Sequence, residues 1–202
     1  VKITKEVGEI ASIQVGHAMR GAIPEVPGTG VFMVQPRDIN DYGSVNWGGV
    51  VETELRGKAE PRWLEHGDVL FKMNGKPNFA AYINIIGLPS DARVVCHHQF
   101  FHLKVRDRRV DPEYLAWFLN RHEMQEQIDE LKKALATGPV VNKGMLSGLS
   151  VVIPAREVQV EVLNLWTNFI NDQRMLQYKI MSSRKNYEVA VSGRIDDLFQ
   201  AK

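Results

Sequence analysis

Leu149-Ser150-Val151-Val152-Ile153-Pro154, followed by Ala155-Arg156-Glu157-Val158-Gln159, is the stretch on which the fold turns. An apolar run closed by proline reads as a strand, and it is the last such run in the chain. From Glu157 to about Phe199 there is no proline and one late glycine, Gly193, so a helix of about 65 Å is expected at 1.5 Å per residue. Alternate steps of three and four residues along it give Val162, Trp166, Phe169, Gln173, Leu176, Ile180, Ser183, Tyr187 and Ala190. That is a coiled-coil seam with Gln173 and Ser183 as its polar members, and such a helix needs a partner. The alternative is a helix that folds back on the globular part, broken in two near Ser182-Ser183.

Upstream, Asp111-Pro112-Glu113 supplies an N-cap, a proline for the first helical position and an early acid, so a helix is expected from there to about Leu135. Its apolar side includes Tyr114, Leu115, Phe118, Met124, Ile128 and Leu131, with irregular spacing around Arg121. Ala136-Thr137-Gly138-Pro139 ends it, and Val140-Val141 reads as a strand before the one at 149–153. Between Glu9 and about Val110 the pattern is short apolar runs: Val31–Val34, Val69–Phe71, Tyr82–Ile86, Val94-Val95 and Phe100–Val105. These read as strands, separated by turn segments such as Gly28-Thr29-Gly30, Trp47-Gly48-Gly49, Asn74-Gly75-Lys76-Pro77 and Gly87-Leu88-Pro89-Ser90. The expected fold class is α+β: a strand-rich mixed domain over 1–154 with an embedded helix, then a long coiled-coil helix over 155–202.

At 202 residues, 44% hydrophobic and 24% charged, the chain has the composition of a globular protein with room for a real core. No run of about 18 apolar residues occurs, and Val1-Lys2-Ile3-Thr4-Lys5-Glu6 lacks the apolar stretch of a signal peptide, so a cytoplasmic protein without membrane contact is expected. The lone Cys96 reads as a buried, inert thiol. Net charge is +1, but residues 56–109 hold ten Lys or Arg against five Asp or Glu, for +5, while 1–55 come to −3 and 110–154 to −2. A local positive patch is one way to meet phosphate; ordinary scatter of charge is the other reading.

Catalytic chemistry finds little support. Asp111-Pro112-Glu113-Tyr114 is close to the Asp-Pro-Pro-Tyr signature of adenine methyltransferases, but its third residue is Glu and no Gly-rich cofactor loop precedes it. His97, His98 and His102 lie on a strand pattern that points neighbours to opposite faces, with no cysteine or carboxylate cluster to complete a metal site. Glu130-Leu131-Lys132 matches the tail of a nuclease motif but sits in the expected helix, and no serine has a nucleophile-elbow setting. No catalytic residue, metal or cofactor is assigned to the chain. Lys72, Asn74, Lys76 and Asn78 instead cluster in a Gly- and Pro-containing loop, where cationic and amide side chains reach phosphates or base edges. Thr137, Gly138, Asn142 and Lys143 form a second candidate loop, Gly138 permitting close approach of backbone to phosphate.

The order of segments resembles one half of the specificity subunit of a type I restriction-modification system, a target recognition domain followed by a conserved helical region. Carrying the resemblance are Val7-Gly8-Glu9-Ile10-Ala11 leading to Arg20-Gly21, Val34-Gln35-Pro36-Arg37-Asp38-Ile39, and Gly67-Asp68-Val69-Leu70-Phe71 with Asn74-Gly75-Lys76. Asp111-Pro112-Glu113-Tyr114-Leu115, the strand ending at Pro154, and Gln159 at the opening of the long helix complete it. The resemblance implies binding of double-stranded DNA and of methyltransferase subunits, which would carry S-adenosylmethionine, with the restriction subunit as a further candidate partner. It also places His17, Arg20 and Arg37 near DNA, with Arg37 as the base reader; Arg37 pairing only with Asp38 or Asp41 is the alternative. Subunits of the family carry two recognition domains and two helical regions, whereas this sequence has one of each, as a half-length subunit or a fragment would. Pairing of two copies through Val162, Trp166, Phe169, Gln173, Leu176, Ile180 and Tyr187 would supply the second half. The competing function class is a non-catalytic protein-interaction module that assembles through its helix and binds no nucleic acid.

Overall fold

The computed structural model describes residues 2–19, 21–57, 60–136 and 138–200, with backbone alone for 193 and 195–200. The chain divides into two compact units, Val1–Val160 and Glu161–Lys202.

In the first unit, β1 (Ile3–Glu6) pairs antiparallel with β9 (Ser150–Ile153), Ile3 opposite Ile153 and Glu6 opposite Ser150. The unit's beginning and end are therefore hydrogen-bonded to each other. A single turn, α1 (Val7–Ile10), follows, started by a capping box in which Glu9 accepts from the Glu6 amide at 2.7 Å. A Cβ at Gly8 would meet the Ser147 side chain of α4 (Lys143–Ser147), whose hydroxyl would have to turn aside.

A four-stranded antiparallel sheet has the order β2 (Ala11–Val15), β8 (Phe100–Val105), β5 (Val69–Lys72), β6 (Ala80–Tyr82). A three-stranded sheet sets β3 (Val31–Val34) between β4 (Val51–Glu52) and β7 (Arg93–Cys96), the β3–β7 pair being parallel. Leu70, Ala81 and Phe100 from the first sheet pack with Val34, Val94 and Cys96 from the second in one buried cluster. Burial pushes the Cys96 thiol up to about 12, so it stays protonated and unreactive.

Three expected elements differ. The run Tyr82–Ile86 is strand only at its start: β6 covers Ala80–Tyr82, and Asn84 then turns the chain by accepting from the Ile86 amide. Val140-Val141 contributes one isolated bridge, Val140 to Asn74, instead of a strand. The helix expected over 111–135 is two, α2 (Pro112–Asn120) and α3 (His122–Ala134), because Arg121 is extended at φ −61° and ψ 144°.

The break at Arg121 has a physical reason. Asn120 accepts from the Ala80 amide at 2.7 Å and donates to the Ala80 carbonyl at 2.8 Å, and Gln125 treats Asn78 the same way at 3.1 and 2.8 Å. Two side-chain amides thus stand in for the missing neighbour strand along the outer edge of β6. On one continuous helix, positions five apart would point about 140° away from each other. The kink lets both face the same edge.

Asp111 caps α2 by accepting from the Glu113 and Tyr114 amides, as its sequence predicted. The long helix α5 (Arg156–Gln200) begins against this cap. Gln159, fully buried, accepts from the Asp111 amide at 2.8 Å and donates to the carbonyls of Arg109 and Pro154, while Arg156 pairs with Asp111 at 2.8 Å. The helix runs without interruption through Ser182-Ser183, where a break was the alternative.

Candidate nucleic-acid interface

The ends of several strands meet on one rim. The C-terminal ends of β3 and β7 lie side by side, with Val34 opposite Cys96. The turn 97–99 leads into β8, whose first residue, Phe100, faces Lys72 at the end of β5. The end of β2 arrives at the same place, Val15 facing Phe101. Loops that leave these ends carry the candidate residues.

The two candidate loops, separated by some sixty residues of sequence, lie next to each other. Val141 donates to the Met73 carbonyl at 2.8 Å, Gly75 to Pro139 at 3.3 Å, and Asn74 bridges Val140. Met73 in turn donates to Gln99 at 2.9 Å, which adds the 97–99 turn. Gly75 and Gly138 both have positive φ, +106° and +65°, so the close approach is built from backbone that other residues rarely adopt.

Within this rim the candidates have unequal roles. Asn78 was expected to reach DNA, but it is fully buried: its Nδ2 donates to the Lys72 and Met73 carbonyls at 3.1 and 2.9 Å, and its Oδ1 accepts from Lys132 at 2.7 Å. It ties the loop shut. His17 is mostly enclosed: its backbone bridges His97, its Nε2 meets the Arg56 carbonyl at 3.3 Å, and it lines a hollow with Val15, Glu60 and Arg62. Lys72 lies with its ammonium 4.9 Å from the centre of the Phe79 ring. Lys76 is largely exposed but paired to Asp129 at 2.8 Å. Asn142 caps α4 by accepting from the Met145 amide at 2.9 Å, and Lys143 follows it, exposed. Arg37 is exposed on the 3-10 turn Pro36–Asp38, 3.9 Å from Asp38, and close in sequence to the end of β3. Arg20 and Thr137 lie outside the described residues.

Sequence reasoning missed the residues that support the loop. Gln125, Asp129 and Lys132 lie on one face of α3 at spacings of four and three. Asp129 bridges Lys76 and the buried Lys132, at 2.8 and 2.6 Å, and hydrogen bonds from Lys132 and then Lys76 hold its carboxyl down at about 2. Lys132 also reaches the Gly75 carbonyl at 3.4 Å. Together with Lys133, Gly138 and Pro139 these residues line a hollow of about 530 Å³.

His97, His98 and His102 are committed to the rim and to the sheet. His102 on β8 meets Asp68 at 2.7 Å in the interior. His97 and His98 stack with ring centres 4.0 Å apart, and burial, helped by His98, lowers the pKa of His97. Among the described residues no group of three or more His, Cys, Asp or Glu is placed to hold a metal ion, and no helix is long and apolar enough to cross a membrane.

No protein-family model and no curated protein matches the chain by sequence. Solved structures do match in fold. The HsdS subunit from Thermoanaerobacter tengcongensis aligns over 87% of this chain with TM-score 0.58 and 17% identity. A chain from the type I R-M system, solved for its complex assembly and conformational transition, aligns over 87% with TM-score 0.60 and 17% identity. The type I restriction-modification S subunit from M. genitalium aligns over 88% with TM-score 0.56 and 15% identity. This chain covers 39%, 40% and 41% of them respectively, so it spans about two-fifths of the length of the structures it matches. The fold of this chain, a strand-rich mixed unit running into one long helix, is the fold of part of a type I restriction-modification S subunit.

Proposed function

We propose that this chain is a sequence-specific DNA-recognition subunit of a type I restriction-modification complex, non-catalytic itself, that directs adenine methylation by partner subunits. The observation that carries the reading is the match in fold to S subunits over nearly nine-tenths of the chain. The rim supports it. Two loops far apart in sequence are bound together there, and the polar groups they present, with Arg37 nearby, suit contacts to phosphates and base edges. S-adenosylmethionine belongs to the partner methyltransferase in this account.

Arg37 is assigned to base reading, where a bidentate arginine distinguishes guanine by about 1–3 kcal/mol. Asn74, Lys76, Gly138, Asn142 and Lys143 are assigned to phosphate and groove contacts. The α5 seam, with Trp166 and Phe169 stacked at 5.4 Å, pairs two copies antiparallel, so that two identical readers face a palindromic target.

Salt-dependent binding of the full chain to duplex DNA tests the reading. Each neutralised phosphate contributes about −0.9 to the slope of log affinity against log salt, so a steep slope is expected. Binding that is flat in salt, or absent, favours the protein-interaction module instead.

A further inference from the structure

We propose that the open edge of β2 is a second contact surface, a seat for the phosphate backbone of duplex DNA that extends beyond the rim loops and meets them at Lys143. The inference deepens the DNA reading and depends on it.

β2 is the terminal strand of its sheet. The bonds Gly16 N to Phe100 O and Arg106 N to Ile10 O fix the pairing phase, so that Ser12 and Gln14 bond to β8. The backbone groups of Ala11, Ile13 and Val15 consequently face away from the sheet. Arg62 confirms this direction by donating to the Val15 carbonyl at 2.8 Å.

A cleft of about 580 Å³ follows this edge, lined by Arg62, Arg106 and Lys143 with Ser12, Gln14 and Ser147, and its lining includes no carboxylate. All three cations are exposed, and among the described residues none of them is in an ion pair. Several other cations of the unit are neutralised by carboxylates: Lys76 and Lys132 by Asp129, Lys104 by Glu65 and Arg109 by Asp107. An adjoining hollow beside Arg62 contains Glu60, where the uniformly cationic stretch ends.

Cations free of carboxylate partners, beside outward amide groups, suit a phosphate backbone, which offers acceptors and negative charge at regular intervals. Five strand residues rise about 17 Å, the axial length of about five nucleotide steps. A peptide strand added to the edge would need apolar seats for alternate side chains. The edge has few, since Ala11 and Ile13 are buried and only Val15 is open.

The test is the binding of the full chain to a fluorescent duplex of arbitrary sequence, titrated at several potassium chloride concentrations. R62A/R106A should lower the salt slope by about two, at about 0.9 per lost phosphate contact, while R62K/R106K keeps the charge and the slope. Thermal melting of each variant checks that it is folded. An unchanged slope in R62A/R106A, with steep binding by the unaltered chain, overturns the β2 seat and leaves the DNA reading standing. An unaltered chain that shows no salt-dependent binding takes down both. Equal loss in the alanine and lysine variants overturns the seat by assigning Arg62 a purely structural role. Retained DNA binding with lost capture of methyltransferase subunits overturns it in favour of a protein partner.

Discussion

The first 160 residues and the helix beyond them treat their side chains in opposite ways. In the first unit several awkward groups find partners inside: Asn78 and Lys132 are buried with hydrogen-bond partners and two amides complete the edge of β6, while Gln35 Nε2, Thr53 Oγ1, His97 Nδ1 and His102 Nδ1 are buried without one. Along α5, by contrast, Phe169, Leu176, Ile180 and Tyr187 are 47%, 52%, 67% and 70% exposed. An apolar stripe left open along a helix is the kind of surface that marks an interaction site. Under the proposed function the contrast corresponds to two jobs within one chain, reading in the first unit and pairing in the second.

The strongest way to break that contrast is at the seam. Changing Leu176 and Ile180 together to Asp should abolish pairing and leave a folded monomer whose DNA affinity is lower on the order of 10³-fold, because two linked half-site contacts become one. Sedimentation gives the mass and anisotropy the affinity. An unchanged mass would show that the stripe does not pair copies.

Next in size is Asn78→Ala, which removes the donor to two backbone carbonyls and the acceptor of a buried ammonium. The expected loss is about 2–3 kcal/mol, or roughly 5–10 °C in Tm, with self-association through α5 unchanged. Calorimetry that finds no shift would return Asn78 to the list of surface candidates.

The smallest effect sharpens the account of the loop. Asp129 is held at about 2, below its ordinary 3.8, so its stabilising pairs are complete above about pH 4 and are lost as pH falls through about 2. Asp129→Asn should remove that part of the acid sensitivity. Stability profiles of the two proteins should therefore converge toward pH 2 and separate above pH 4. Parallel profiles over the whole range would mean that Lys76 and Lys132 do not depend on this carboxylate.

How much was legible depended on whether a residue's neighbours are local. Val69–Phe71 and Phe100–Val105 could be read as strands because central strands are apolar on both faces, and Asp111-Pro112 declared a helix start by local chemistry alone. The break at Arg121 was visible only as irregular spacing, since its cause is the edge of β6, some forty residues earlier. Asn78 looked like any turn asparagine; nothing within its own loop says that its amide turns inward to meet Lys132. The Gln125, Asp129 and Lys132 face of α3 did carry a signal, a polar stripe at spacings of four and three, but its partner is the 73–78 loop. Arg62 and Arg106 stood out in no motif, and only sheet order reveals that they flank an open strand.

Under the proposed function, paired copies of this chain read DNA sequence. Incubating the full chain with a pool of random duplexes, recovering the bound fraction and sequencing it tests that claim most directly. Two inverted half-sites at a fixed separation should be enriched, reduced to one half-site when Leu176 and Ile180 are changed to Asp. A recovered pool as random as the one supplied would contradict it.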